Sequence, residues 1–399
     1  MQLSNSISTF RILLTSHGIM RQVAKFDRDV NQIAILLIEM NTYSALEIYR
    51  KGKNVKNVMG ENQIDGNNDS YFDSLQDLAL HKDLRDVTID EHNRLYSMYE
   101  KFYDTTDFAD HIAEAAFEDI ALAVHTIPVL LKAMVLPQYA IRSFFAAVDV
   151  CSTGDNDAAE NFWDRGVAVL VGSIEATRVV MDGNDGMSWW NLVYKYCAHF
   201  KCAEIGIDPP SLQKMMTNIE LGRQSIKRSD CATATKRVQA MESIIVIPII
   251  QGLLYHSAER QRTEEESHYG AAYAFGKAIM PVISVRRKAD VDVIGDSLYT
   301  PGEFDASDLW TAIILALPDF GIDCKDLGED TMQILGGKSF CDYVQNATEF
   351  PTAAPNKNMS RRPTPLPTES PTPSDASTEI NSVLIDGYTF TNQTQALDK

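Results

Sequence analysis

Three carboxylates at helical spacing are the first chemistry this sequence offers. Asp107, Asp110 and Glu114 stand three and four residues apart in FYDTTDFADHIAEAAFE (102–118). On a helix that spacing puts them on one face, with Tyr103 one turn earlier. Like charges so arranged repel, and a hard cation offsets the repulsion. Ferric iron, calcium and magnesium all favour carboxylate oxygen, and ferric iron also takes phenolate. A solvated acidic face is the other reading of the same pattern.

A second cluster, RTEEESHYG (262–270), carries Glu264, Glu265, Glu266, His268 and Tyr269. Arg260 and Arg262 stand close enough in sequence to neutralise it. A third candidate is Asp164–Arg165 within NFWDRGVAVLVGSIEA (161–176). There Trp163, Val167, Leu170, Val171 and Ile174 recur with helical period. Gly166 and Gly172 each cost a helix interior about 1 kcal/mol relative to Ala. Close approach of a second helix offsets that cost. Asp164 then sits at the edge of a helix–helix seam, satisfied by Arg165 or by a bound cation.

Motifs for other chemistries do not occur. The chain has no GxSxG, HExxH, P-loop or GxGxxG signature, and an enzyme is not expected.

The elements that must position these residues are helical. Residues 21–51 alternate apolar and polar faces until Gly52 stops them. Residues 53–74, rich in Asn, Asp and Gly, predict a loop. Residues 89–118 predict a helix broken near Asp104–Thr106. Further helical patterns follow over 120–150, 157–181, 187–203, 211–225, 230–260, 264–285 and 306–317. The best strand signal is the short run Val291–Ile294. The fold class is therefore all-α, a multi-helix bundle. A faint echo between 102–118 and ESHYGAAYAFGKAIMPVI (266–283) suggests two pseudo-repeated halves.

The organisation divides into an N-terminal segment (1–19), a helical domain (20–345) and a tail (346–399). The tail is rich in Pro, Ser and Thr and too poor in apolar residues to bury a core, so disorder is expected there. The N-terminus has only Ile12–Leu14 as an apolar run, too short for a signal peptide. Either the protein is cytosolic or its true start lies upstream. No uninterrupted run of about 18 apolar residues occurs, so no transmembrane segment is expected.

The 36 basic and 55 acidic residues leave a net charge of −19, which disfavours nucleic acid as a partner because phosphates find no neutralising surplus. Six cysteines permit three disulfides in about 15 pairings. With sequons at Asn68, Asn346, Asn358 and Asn392, they lean towards the secretory route.

An ordered series of strings resembles one family. IYRKGKN (48–54), YEKFYDTTDFADHIAEAAF (99–117), WDRGVAVLVGS (163–173), YCAHFKC (196–202), IPIIQGLLY (247–255), AYAFGKAIMPV (272–282) and GIDC (321–324) occur in the order seen in algal iron-assimilation proteins. These are the low-iron-inducible periplasmic proteins, whose diatom members are called phytotransferrins. The resemblance covers about residues 20–330. It implies a secreted or surface-held protein that binds ferric iron for uptake, with carbonate as a synergistic anion and a cell-surface uptake partner. On that basis Tyr103, Asp107, Asp110, Glu114, Asp164 and Glu265 are the expected iron ligands, and Arg165 the contact to the anion. The chain departs from the family pattern at Arg165, where an acid is usual, at Leu170 near an aromatic position, and at Tyr255 in place of an arginine. The family's cysteine is also missing at Val285–Arg287, so either Cys341 is a substitute partner for Cys324 or that pairing is lost. A surface interaction protein that binds no metal on the same scaffold is the alternative function.

Overall fold

Asn41 divides the first periodic segment into two helices rather than one. Helix α1 (Phe26–Ile38) ends at Glu39, Met40 turns left-handed at φ 58°, and Asn41 caps α2 (Thr42–Lys51) by accepting the Ser44 amide at 3.1 Å. An Asn side chain satisfies an amide that has no partner within the helix, so it favours a new start over continuation. Gly52 ends α2 as its position predicts, at φ 64°.

The computed structural model describes residues 22–55, 73–84, 94–173, 187–204, 207–263, 265–285, 287–299 and 306–328. All regular structure among them is helical, with no strand. The loop expected over 53–74 falls largely outside them, as do the N-terminal segment 1–19, Glu264, Cys341 and the tail 346–399.

After α3 (Leu75–Ala79) come α4 (Arg94–Tyr103) and α5 (Phe108–Glu118), separated at the expected break, where Asp104 has φ 55°. Helices α6 (Ile120–Leu130) and α7 (Leu136–Thr153) run on through a π-helical turn, Leu131–Val135. Pro128 lacks an N–H and Pro137 follows, and the widened turn absorbs the interrupted ladder. The chain continues through α8 (Asn156–Val171), α9 (Trp189–Phe200), α10 (Pro210–Lys227), α11 (Cys231–Ile245) and α12 (Ile247–Thr263). It then forms α13 (Glu266–Ser284), α14 (Lys288–Tyr299) and α15 (Ala306–Ala316). The strand signal Val291–Ile294 lies inside α14. Residues 102–118 span the α4–α5 break whereas 266–283 lie within the single helix α13, so the two echoing segments differ in backbone.

Helix α13 packs against α12, α6, α14 and α4. Helix α7 packs against α8 and α11. The glycines of α8 have different roles. Gly166 is a true close approach, because an added Cβ would lie 2.9 Å from the Ala140 carbonyl oxygen and 2.9 Å from the Phe144 ring. Gly172 is not interior. It ends α8 at φ 80°, where a Cβ would lie 2.7 Å from the Asp27 carboxylate.

Trp163 seals the seam from the other side. It is fully buried, its indole N–H donates to the Ile219 carbonyl at 3.1 Å, and its ring lies on Gly222 of α10. A Cβ at 222 would sit 2.2 Å from that ring. Phe144 also packs on the indole, with ring centroids 4.8 Å apart. Gly222→Ala is therefore expected to lose about 1–3 kcal/mol by overpacking. Trp163→Phe in the same chain should recover part of that loss, read as coupling between the two sites in urea denaturation. Additive losses would show that the ring does not hold the two helices apart.

Disulfides join Cys151 to Cys231 and Cys197 to Cys202, and Cys324 is disulfide-bonded as well. Among the described residues, two continuous helical stretches, Ile120–Thr153 and Cys231–Thr263, are long and apolar enough to cross a membrane by length and composition alone. Most of each apolar window is buried inside the fold.

Candidate functional site

The acidic face of α5 meets α2 and α3. Tyr49, fully buried on α2, donates its hydroxyl to Asp110 Oδ1 at 2.9 Å. Gln76 of α3 bridges the two carboxylates: its Nε2 donates to Asp110 Oδ1 at 3.1 Å and to Glu114 Oε1 at 3.2 Å. Arg50 forks onto Glu114, with Nε to Oε1 at 2.8 Å and its terminal nitrogen on Oε2. Asp110 and Glu114 thus converge on one nitrogen, with a phenol and a guanidinium at their edges.

The electrostatics follow from this packing. Burial pushes the Asp110 carboxyl above the usual range, against the pull of the Tyr49 and Gln76 hydrogen bonds. The Tyr49 phenol is pushed well up by burial and then by the adjacent Asp110 charge. The hydrogen bond to Glu114 raises the exposed Arg50 guanidinium.

The other expected ligands sit apart from this cluster. Asp107 precedes α5 and accepts the Thr106 hydroxyl at 3.3 Å. Tyr103 turns towards α13 and donates to the Lys277 carbonyl at 2.7 Å. Asp164 is held by Arg223 of α10 through two bonds of 2.7 Å, so the partner at the seam is Arg223 and not Arg165. Arg165 reaches Asp83 at 2.7 Å, beside the Tyr139 hydroxyl. Burial works against the Arg165 charge, but Tyr139 and Asp83 keep its guanidinium raised. Glu265, at the start of α13, lies 3.7 Å from His268.

Sequence reasoning missed Tyr49, Arg50 and Gln76. The string IYRKGKN contained the first two, but nothing local marked them as neighbours of residues sixty positions on. Among the described residues, no three His, Cys, Asp or Glu side chains are grouped so as to hold a metal ion. Any hard-cation site here must therefore draw on phenol, amide or water oxygen besides the two carboxylates. No family model, curated protein or solved structure matches the chain.

Proposed function

We propose that the protein binds ferric iron at Asp110 and Glu114, outside the cell or at its surface, and hands it to an uptake partner. The observation carrying this reading is the shared donor: Gln76 Nε2 lies within 3.2 Å of both carboxylates, marking a point where a cation would meet two hard oxygens. Tyr49 is the phenol best placed to join them, and it supplants Tyr103 in that role. Its proton leaves when the oxygen ligates, so binding weakens as pH falls. Iron at this point displaces Arg50 from Glu114, and the released guanidinium is suited to carbonate. The two strings that supply these residues, 48–54 and 99–117, both belong to the series that resembles algal iron-assimilation proteins. The disulfides support an oxidising compartment.

The test is a titration of the full chain with ferric nitrilotriacetate, with and without bicarbonate, followed in the visible region. A saturable phenolate-to-iron band is expected. It should vanish in Tyr49→Phe, and binding should be lost in Asp110→Asn with Glu114→Gln. Unchanged binding in that double variant removes the assignment.

One observation favours a surface interaction protein that binds no metal. Asp164 and Glu114 already have bidentate arginine partners, so neither carboxylate needs a cation. A folded chain that takes up no ferric iron selects this second reading.

A further inference from the structure

Two histidines face each other across the α12–α13 hairpin. His256 Nδ1 and His268 Nδ1 are 2.9 Å apart. The outer nitrogen of His256 has a hydrogen-bond partner, and that of His268 faces a carboxylate beyond hydrogen-bond reach. Tyr196 Oη of α9 lies 2.9 Å from His256 Nε2, and Glu265 Oε2 lies 3.7 Å from His268 Nε2. A hydrogen bond such as that of Tyr196 fixes ring orientation and tautomer in a metal-ligating histidine. A tetrahedral ion with imidazole nitrogens at about 2.0–2.1 Å spaces two of them by about 3.3 Å. The pair therefore stands within a few tenths of an ångström of a two-nitrogen grip.

We propose that His256 and His268 bind a borderline divalent cation of the zinc, copper(II) or nickel class through their facing Nδ1 atoms, with water completing the shell. Imidazole selects these ions, whereas the carboxylate and phenol oxygens around Asp110 select a hard one. The two sites are thus chemically distinct, and this one does not rest on the ferric reading.

The protons balance without loss. We assign the ion-free protons as Tyr196 hydroxyl to His256 Nε2 and His256 Nδ1–H to His268 Nδ1, which leaves the His268 proton on Nε2. On binding, the His256 proton moves from Nδ1 to Nε2, which then donates to the Tyr196 oxygen. Both rings stay neutral and both Nδ1 lone pairs point at the ion. Burial favours the neutral form of each ring, and Lys195 and Lys132 reinforce this at His256. Glu259 and Glu265 act the other way at His268, and Arg262 ties Glu259. His199, from α9, stacks on Tyr255 beside the pair. The His268 side is the more open one, its side chain 15% exposed where His256 is buried at 7%.

The full chain, stripped with a chelator, is titrated with copper(II) and followed by calorimetry and electron paramagnetic resonance. One equivalent with nitrogen superhyperfine lines is expected. His268→Gln should weaken binding at least tenfold. Tyr196→Phe, which removes the 2.9 Å partner of His256 Nε2, should weaken it about tenfold. Asp110→Asn with Glu114→Gln should leave copper binding unchanged. Affinity unaffected by His268→Gln, or a copper spectrum without nitrogen couplings, overturns the proposal.

Discussion

Replacing Cys151 and Cys231 together by Ala should lower the unfolding free energy by about 4–5 kcal/mol, by the chain-entropy account of cross-links. The bond spans 80 residues and ties the end of α7 to the start of α11, enclosing α8, α9 and α10. Releasing so long a loop returns much conformational freedom to the unfolded chain. Against a total stability of roughly 5–15 kcal/mol, this is a large share of what keeps the domain folded. Ala is the right replacement because Cys151 is 2% exposed, and Ser would bury a hydroxyl there. The second bond provides the control. Cys197 and Cys202 are five residues apart, and the same account gives about 2 kcal/mol for that short loop. Urea midpoints of the two paired variants should therefore differ by about a factor of two in loss. Equal losses would show that native-state packing, and not loop length, sets the contribution of each bond.

The all-α class was legible because hydrophobic period, Gly52 and the Asp104–Thr106 break are local signals that the backbone obeys. The close approach at Gly166 was legible for a similar reason: glycine in an apolar helical stripe has few other uses. What escaped the sequence were the partners. Asp164 is met by Arg223, Glu114 by Arg50 and Asp110 by Tyr49, each about sixty residues away in the chain. No periodicity encodes which helices pack side by side. The same limit explains why Arg165 or a bound cation, and not Arg223, is what the sequence offers to Asp164. Neighbours in sequence point to different sides of a helix, so Arg165 faces Asp83 instead. Gly172 was misplaced by a different mechanism. Nothing in the pattern separates a tolerated glycine from a terminating one until its φ is known. The His256–His268 pair lay hidden because a twelve-residue separation across a helical hairpin has no periodic signature.

Acidification should destabilise the chain from about pH 6.5 downwards, and His81 is expected to be a main cause. It is buried between Tyr139, stacked at 6.2 Å, Tyr96, edge-on at 5.0 Å, and Phe108 at 6.4 Å. Neither ring nitrogen has a hydrogen-bond partner among the described residues. Burial, and then the nearby Arg142, hold its pKa well below the ordinary value. The sign follows directly. Below the unfolded value the denatured chain takes up a proton that the folded chain refuses, so stability is full above that value and falls as pH drops beneath it. His256 adds to the trend, lowered first by burial and then by Lys195, His268, His199 and Lys132. Each such group contributes a slope of up to about 1.4 kcal/mol per pH unit. Asp83 and Asp110 work in the opposite sense, because burial raises them and the folded state binds their protons first. The histidines start to act nearer neutrality, so they govern the first loss. His81→Phe keeps the ring within its aromatic surround and removes the titrating group. His81 also holds a left-handed backbone at φ 47°, so the absolute stability of the variant shifts as well. The decisive quantity is therefore the slope between pH 7 and 5, measured by urea denaturation with a chelator present so that no bound cation adds its own pH dependence. A slope lower by about one proton in His81→Phe supports the assignment, and a slope equal to that of the wild type assigns the acid sensitivity to His256 and its neighbours.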